Sequence, residues 1–261
     1  MEISSCELYI FLRNIYDYEE GIYNIIKDLV LFKFKSNDEL KDAVDIWCKD
    51  GENGQTLYGH ISLWNVSMIT DMSYLFEVTE FNDNINDWNV SNVKNMSHMF
   101  IDCIDFNQPF DKWNVGNVED MEGMFYDCWI FNQDISNWDV SNVKNMYNLF
   151  NECITFNQDL SNWDVSKVED MDSMFYECNH FNQDISNWDV SNVINMYWMF
   201  YECSRFNQDL SNWDVSNVEN MECMFYGCNF ISHSLDKWLP ILQNEKDKNY
   251  IEIINAIINE N

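Results

Sequence analysis

The cysteines are the most regularly spaced residues in this sequence that could do chemistry. They recur every 25 residues at one position of a repeated pattern, namely Cys103, Cys128, Cys153, Cys178, Cys203 and Cys228. Stacked copies of the pattern would bring neighbouring sulfurs within disulfide range. Zinc sites instead need close pairs such as C-x2-C together with histidine, and the C-x4-C pair of Cys223 and Cys228 is a weak signal. Because buried cysteines behave as small apolar residues, we expect core thiols, with Cys223 the exposed one.

Aspartates form two further rows with the same spacing. One row contains Asp134, Asp159, Asp184 and Asp209, and the other contains Asp139, Asp164, Asp189 and Asp214. Like charges at neighbouring positions repel, so the rows require either hydrogen-bonding turns or bound cations. Calcium prefers six to eight oxygen ligands, and the glycine-rich loops with which some repeat proteins supply them are missing here. We therefore expect these aspartates to form turns, with calcium binding as the alternative.

The histidines do not form a catalytic pattern. His60, His98, His180 and His233 occupy unrelated positions of the repeat, and none is placed with a serine, cysteine or carboxylate as in a triad or an acid–base pair. P-loop and dinucleotide-binding fingerprints are missing as well. The sequence therefore predicts that the protein is not an enzyme, with no catalytic residue, no metal ligand and no cofactor.

Four aromatic residues interrupt positions that are polar or small in other copies of the pattern. Tyr147, Tyr197 and Trp198 stand where other copies have Ser, Glu, Asp, Gly or Asn, and Trp129 lies among residues that are polar or small elsewhere. Exposed aromatic residues among acidic ones are the usual anchors of a protein interface. These four are therefore the predicted partner-binding residues, and the alternative is that they pack laterally between copies.

A repeated unit positions all of these residues, and its tryptophans set the period. From Trp88 to Trp238 they recur every 25 residues, and the unit reads W-(D/N)-V-(S/G)-x-V-x-x-M-x-x-(M/L)-F-x-x-C-x-x-F-N-Q, with seven copies and a partial eighth. A constant period of this length predicts a solenoid in which each coil contacts its neighbours. Apolar spacing over residues 146–153 predicts a helical turn, and the stretches around Val140 and Phe156 predict brief parallel β-bridges.

The segments outside the repeats are predicted to be helical caps. Ser36 and Glu39 form a capping-box pattern, which is followed by a helix with one apolar face and a stop at Gly51. A stripe of isoleucines near the C-terminus predicts a final helix. The predicted organisation is a helical N-terminal region and cap over 1–60, the repeats over 61–238, and a C-terminal capping helix over 239–261.

The overall charge restricts the possible partners. The chain has 45 acidic and 14 basic residues and a net charge of -31, so nucleic acid and anionic membranes would be repelled, and a basic protein surface is the predicted partner. The N-terminal sequence has no signal-peptide pattern, and no run of about 18 apolar residues is present. We expect an intracellular protein, cytoplasmic in its host or producing cell, with no membrane span.

The repeat also resembles that of a known family. The unit WDVSNVxxMxxMFxxCxxFNQDIS and the lead-in over residues 39–67 are similar to the BspA-like leucine-rich-repeat family, part of which is catalogued as a mycoplasma lipoprotein domain of unknown function. The resemblance covers residues 36–238 and implies a leucine-rich-repeat-type solenoid. Bacterial members are often surface proteins, and large DNA viruses also carry such arrays. No catalytic residues are established for the family, so the resemblance implies none in this chain.

Two functions follow from these observations. The first is a non-catalytic protein–protein interaction scaffold built on an acidic leucine-rich-repeat-like solenoid. The alternative is a calcium- or glycan-binding adhesive surface module. A reduced, metal-insensitive protein inside a cell would favour the first function, whereas export and metal-dependent stability would favour the second.

Overall fold

The computed structural model describes residues 31–228 and 237–238. Helix α1 spans Asn37–Lys49 and helix α2 spans Gly51–Tyr58, and a short 3-10 helix follows at Ile61–Leu63. From residue 64 to residue 228 the chain consists of turns, bends and isolated bridges, without a β-strand or a sheet. No helix in the described part of the chain is long and apolar enough to cross a bilayer.

The sequence around residue 36 explains where α1 begins. The Ser36 hydroxyl accepts a hydrogen bond from the backbone N–H of Glu39 at 3.2 Å, which satisfies one of the free amides of the first helical turn. The apolar face of α1 is buried through Leu40, Ala43 and Val44. The predicted helix and its N-cap are confirmed. The predicted stop is also confirmed, because α1 ends at Lys49 with Asp50 as its C-cap, directly before Gly51, and Gly51 then begins α2.

Each repeat turns sharply because two of its residues have left-handed backbone. Asn148 (φ 57°) and Glu152 (φ 58°) are examples, and the same two positions are left-handed in all seven copies. Alternate amides of this segment bond three residues back, as those of Leu149 and Asn151 do to the carbonyls of Met146 and Asn148 at 3.2 and 3.1 Å. Left-handed residues cannot be part of a right-handed helix. The helical turn predicted over residues 146–153 is therefore wrong, and successive tight turns occupy this segment.

Neighbouring repeats are joined by hydrogen bonds from alternate amides of the turn segment. The Phe150 amide, for example, donates to the carbonyl of Met174 in the next repeat at 2.9 Å. One parallel bridge also joins each pair of neighbouring repeats, such as Asn145 with Asp170. The turns on either side interrupt the pairing after one residue, so none of these bridges extends into a strand.

The interior consists of columns of identical side chains. The rings of Phe125, Phe150 and Phe175 are nearly parallel, and their neighbouring centroids lie 5.8 and 5.7 Å apart. The indole N–H of Trp163 donates to the carbonyl of Ile135 in the preceding repeat at 3.1 Å. A tryptophan can be buried in each repeat because its one polar atom has a partner of this kind.

The predicted fold class, a leucine-rich-repeat-like solenoid with short parallel β-bridges, helical turns and helical caps at both ends, is wrong. Residues 31–228 contain two short α-helices, both before the first repeat, and no strand or sheet. The left-handed pair in each repeat restricts the pairing between repeats to single residues. The helix predicted over 239–261 lies outside the described residues, and the three-part division of the chain stays a prediction.

Candidate interaction face

Four positions of each repeat lie outside the core columns and form one surface, which we call the turn face. In one repeat these positions are residues 147, 148, 151 and 152, and the equivalent positions of the other six repeats complete the face. No Lys or Arg occupies any of them, and acidic or aromatic residues occupy most. Lysines lie elsewhere. Lys94 and Lys144 stand on a separate row, where both pair with Glu119 at 3.7 and 3.1 Å.

One column of the turn face is acidic in five successive repeats. It contains Asp102, Asp127, Glu152, Glu177 and Glu202, which we call the acidic row. All five residues have left-handed backbone, a conformation that glycine adopts more easily. Burial, followed by the neighbouring carboxylates of Asp127 and Glu177, raises the pKa of Glu152 to about 7. Burial and a hydrogen bond to Asp127 likewise raise the pKa of Asp102. The row therefore concentrates negative charge on a surface without Lys or Arg.

Five aromatic rings form a continuous patch beside the acidic row, which we call the aromatic patch. Tyr201 lies between Tyr176 and Tyr226, with nearly parallel rings whose centroids are 4.9 Å apart on each side. Trp198 contacts Tyr176 and Tyr201 with centroid distances of 5.7 and 5.6 Å, and Tyr197 stacks on Trp198 at 4.4 Å. Tyr226 is 51% exposed, and the other four rings are partly exposed. The patch offers apolar surface that a partner could cover.

The aromatic patch and the acidic row interact directly. Burial, the nearby charge of Glu177 and a hydrogen bond to that carboxylate raise the pKa of Tyr176 to about 12. The phenol therefore stays neutral at physiological pH and donates to the carboxylate. A group that covers the Tyr176 ring would also lie against a negative charge.

The structure brings together two of the four predicted partner-binding residues. Tyr197 and Trp198 both belong to the aromatic patch. Tyr147 lies on the turn face two repeats before Tyr197, and among the described residues it makes no ring contact with the patch. Trp129 is 42% exposed, lies outside the four columns, and donates its indole N–H to the carboxylate of Asp127.

Sequence reasoning missed three tyrosines of the patch. Tyr176, Tyr201 and Tyr226 each follow the fixed phenylalanine of their repeat. The signal was available, since a tyrosine at this position recurs in three successive copies. From the sequence alone, however, an aromatic residue next to a core phenylalanine is typical of the core itself. The left-handed residue three positions earlier turns the chain so that this side chain lies outside.

The cysteine column has a structural role. Cys153 and Cys178 are buried, and each thiol donates to a phenylalanine carbonyl of the preceding repeat at 3.0 and 2.9 Å. The cysteines in the described part of the chain are free thiols, so the expectation of core thiols is confirmed for this column. Burial raises the pKa of both thiols well above the ordinary value. Cys223 is only partly buried.

The two aspartate rows close turns. Asp159 accepts the backbone N–H of Ser161 at 2.9 Å, and Asp164 accepts that of Ser166 at 3.1 Å. Hydrogen bonds from Ser166 lower the pKa of Asp164, so the carboxylate is stabilised by the turn that it closes. Within residues 31–228, no group of three or more His, Cys, Asp and Glu side chains has a geometry that could hold a metal ion.

The same repeats match a family model twice. Residues 51–163 and 145–251 each match the family described as "Mycoplasma protein of unknown function, DUF285". The chain belongs to the DUF285 family. The two matches overlap and together include every repeat, so the turn face lies within the DUF285 region. No curated protein and no solved structure matches the chain significantly.

Proposed function

We propose that this DUF285 protein is a non-catalytic scaffold that binds a protein with a basic surface through its turn face. The observation that carries the proposal is the aromatic patch, five rings in mutual contact beside a row of carboxylates on a face without Lys or Arg. Aromatic anchors supply most of the binding energy of typical interfaces. Complementary charge favours encounter with basic partners over acidic ones.

Two further features support the proposal. Burial, and after it the neighbouring carboxylates, raises the pKa of Glu152 and of Asp102 in the acidic row, and a cation placed among these groups would relieve the repulsion between them. The backbone hydrogen bonds between neighbouring repeats recur at equivalent positions, so the face is a rigid surface that loses little conformational entropy on binding.

The free thiols of the cysteine column fit a reducing compartment, and we propose that the protein works inside a cell. The wider relationship to BspA-like proteins also belongs to this proposal. It rests on the agreement of the Trp, Met-Phe, Cys and Phe-Asn-Gln positions in register.

Affinity capture from a native cell lysate under reducing conditions tests the proposal. The wild-type chain is compared with a Trp198→Ser/Tyr201→Ser variant and with a Trp129→Ser control, all three having the same melting temperature within about 3 °C. We expect a basic protein to be retained by the wild type and the control and lost from the double variant. Retention by all three chains, or enrichment of an acidic protein, would contradict the proposal.

A further inference from the structure

The spacing of the turn face restricts the shape of a partner. Neighbouring tyrosines of the aromatic patch are 4.9 Å apart. The two phenylalanine columns behind them have centroid distances of 5.2 to 5.8 Å and of 5.9 to 6.3 Å. Every successive repeat therefore presents the same groups again after a step of this size. A partner that contacts several repeats in the same way must repeat its own side chains at a similar interval.

An α-helix meets this condition and an extended strand does not. The helix repeats its surface every turn, about 5.4 Å, which lies within the measured range. A strand returns to the same face after two residues, about 6.7 Å. Over the five repeats of the acidic row, a helix would shift by roughly 2 Å relative to the 4.9 Å spacing. A strand would shift by about 7 Å, more than one full repeat.

The chemistry of the two neighbouring columns determines the side chains of such a helix. The column of Tyr176, Tyr201 and Tyr226 fits an apolar stripe, and the adjacent acidic row fits Lys or Arg at every turn. Asn151 adds an observation that is independent of charge. It lies in the tyrosine column beside Glu152, is only 7% exposed, and its Oδ1 is buried without a hydrogen-bond partner among the described residues. An unpaired buried acceptor is unfavourable, so the tyrosine column contains a polar atom that the chain by itself leaves unsatisfied next to the acidic row.

We propose that the partner segment is an amphipathic α-helix lying along the stacking direction, with one Lys or Arg per turn against the acidic row and an apolar stripe against the aromatic patch. This inference rests on the proposed function and adds the secondary structure, orientation and register of the partner. Contact with all five carboxylates requires about 15 helical residues.

Three fluorescein-labelled peptides of about 20 residues with the same composition test this inference by fluorescence anisotropy at low salt. The first has Lys once per helical turn next to a leucine stripe. The second places the same number of Lys at alternate residues within a stretch of about 11 residues, and the third places the Lys and Leu stripes on opposite sides of the helix. We expect the first peptide to bind at least about tenfold more tightly than the other two and to gain helical circular dichroism on binding.

A matched pair of chain variants locates the binding site. Glu177→Gln/Glu202→Gln removes two charges from the acidic row, and Glu169→Gln/Glu219→Gln removes two exposed charges from the row that contains Glu119. The first variant should weaken binding of the once-per-turn peptide by about tenfold, and the second by less than threefold.

Four results would overturn the proposed helix, its binding site or the proposed function, and they can be told apart. Equal affinities for the three peptides, with the same loss in the Glu177/Glu202 variant, would reject the helical register and leave a basic partner in place. If both charge variants lose the same affinity for the once-per-turn peptide, the overall charge attracts the peptide and the acidic row is rejected as its binding site. If no peptide binds while lysate capture still retains a basic protein through Trp198 and Tyr201, the helix is rejected and the proposed function stands. If capture fails too, both are rejected.

Discussion

At the scale of single residues, the left-handed positions control both the turns and the turn face. They place the carboxylates of the acidic row and the indole of Trp198 on one surface. Gly123 is one of the few glycines at these positions, with φ 54°. A side chain at Gly123 would overlap Nδ1 of His98, whose ring stacks on Tyr74 with centroids 4.7 Å apart.

Gly123→Ala should therefore lower the free energy of unfolding by about 1–3 kcal/mol, because the new methyl group adds a clash to an unfavourable backbone conformation. Gly51→Ala is the matched control, since its new Cβ would meet no atom within 4 Å, and it should change stability by less than about 0.5 kcal/mol. Urea unfolding followed by circular dichroism measures both. Equal effects of the two substitutions would contradict the steric explanation.

The raised pKa of Glu152 makes stability depend on pH. The folded value is about 7, against an ordinary value of 4.5. Between these values the folded protein holds the proton more tightly than the unfolded chain, so stability falls as the pH rises from about 4.5 to 7.

Glu152→Gln should raise the melting temperature at pH 8, where the wild-type carboxylate is ionised beside Asp127 and Glu177, and should have little effect at pH 4.5. Thermal unfolding across this pH range measures the difference, with Glu169→Gln as the exposed control outside the acidic row. A Glu152→Gln variant that is less stable than the wild type at pH 8 would show that the row does not repel itself.

At the scale of the repeat, stability comes from contacts between neighbours. The indole N–H of Trp163 bonds to the Ile135 carbonyl, and the thiol of Cys153 bonds to the Phe125 carbonyl. Both bonds cross from one repeat to the preceding one. A single repeat cannot make these bonds. The buried polar atoms of Trp163 and Cys153 therefore have partners only when neighbouring repeats stack.

Trp163→Phe should destabilise the chain by about 1–2 kcal/mol, because it leaves the buried Ile135 carbonyl without its donor. Trp129→Phe makes the same change at a 42% exposed side chain and should have an effect below about 0.5 kcal/mol. Chemical denaturation at equal protein concentration compares them. A smaller loss at Trp163 than at Trp129 would contradict the role assigned to the indole N–H.

The sequence predicts which residues are buried better than it predicts the backbone that buries them. Tryptophans such as Trp163 and cysteines such as Cys153 are fixed by the period, and they are core residues as expected. The helical turn expected over residues 146–153 was wrong, because i, i+3, i+4 spacing also suits tight turns with left-handed residues. Asn148 and Glu152 are not glycines, so their left-handed backbone gave no signal. Of the five residues of the aromatic patch, the sequence predicts only Tyr197 and Trp198, because only the fold shows which columns are adjacent.

At the scale of the whole molecule, the net charge is -31, and many of the acidic side chains lie in rows that have different roles. Aspartates such as Asp159 and Asp164 accept backbone amides within their own turns. The row that contains Glu119 alternates with lysines. Within residues 31–228, no salt bridge joins the acidic row on the turn face to a Lys or Arg.

Because the aspartate rows are already satisfied by amides, 5 mM calcium and an excess of EDTA should give melting temperatures within about 1 °C of each other. Differential scanning calorimetry at constant ionic strength measures this, with magnesium as the control for general screening. A calcium-specific rise of several degrees that EDTA reverses would favour a calcium-binding surface module instead.

We propose that the partner binds to the aromatic patch and to no other exposed aromatic residue. The most direct test is the dissociation constant of the captured basic protein for Trp198→Ser and for Trp129→Ser, measured by isothermal titration calorimetry. We expect Trp198→Ser to weaken binding at least about tenfold and Trp129→Ser to change it less than about threefold. Equal losses, or a larger loss at Trp129, would contradict this proposal.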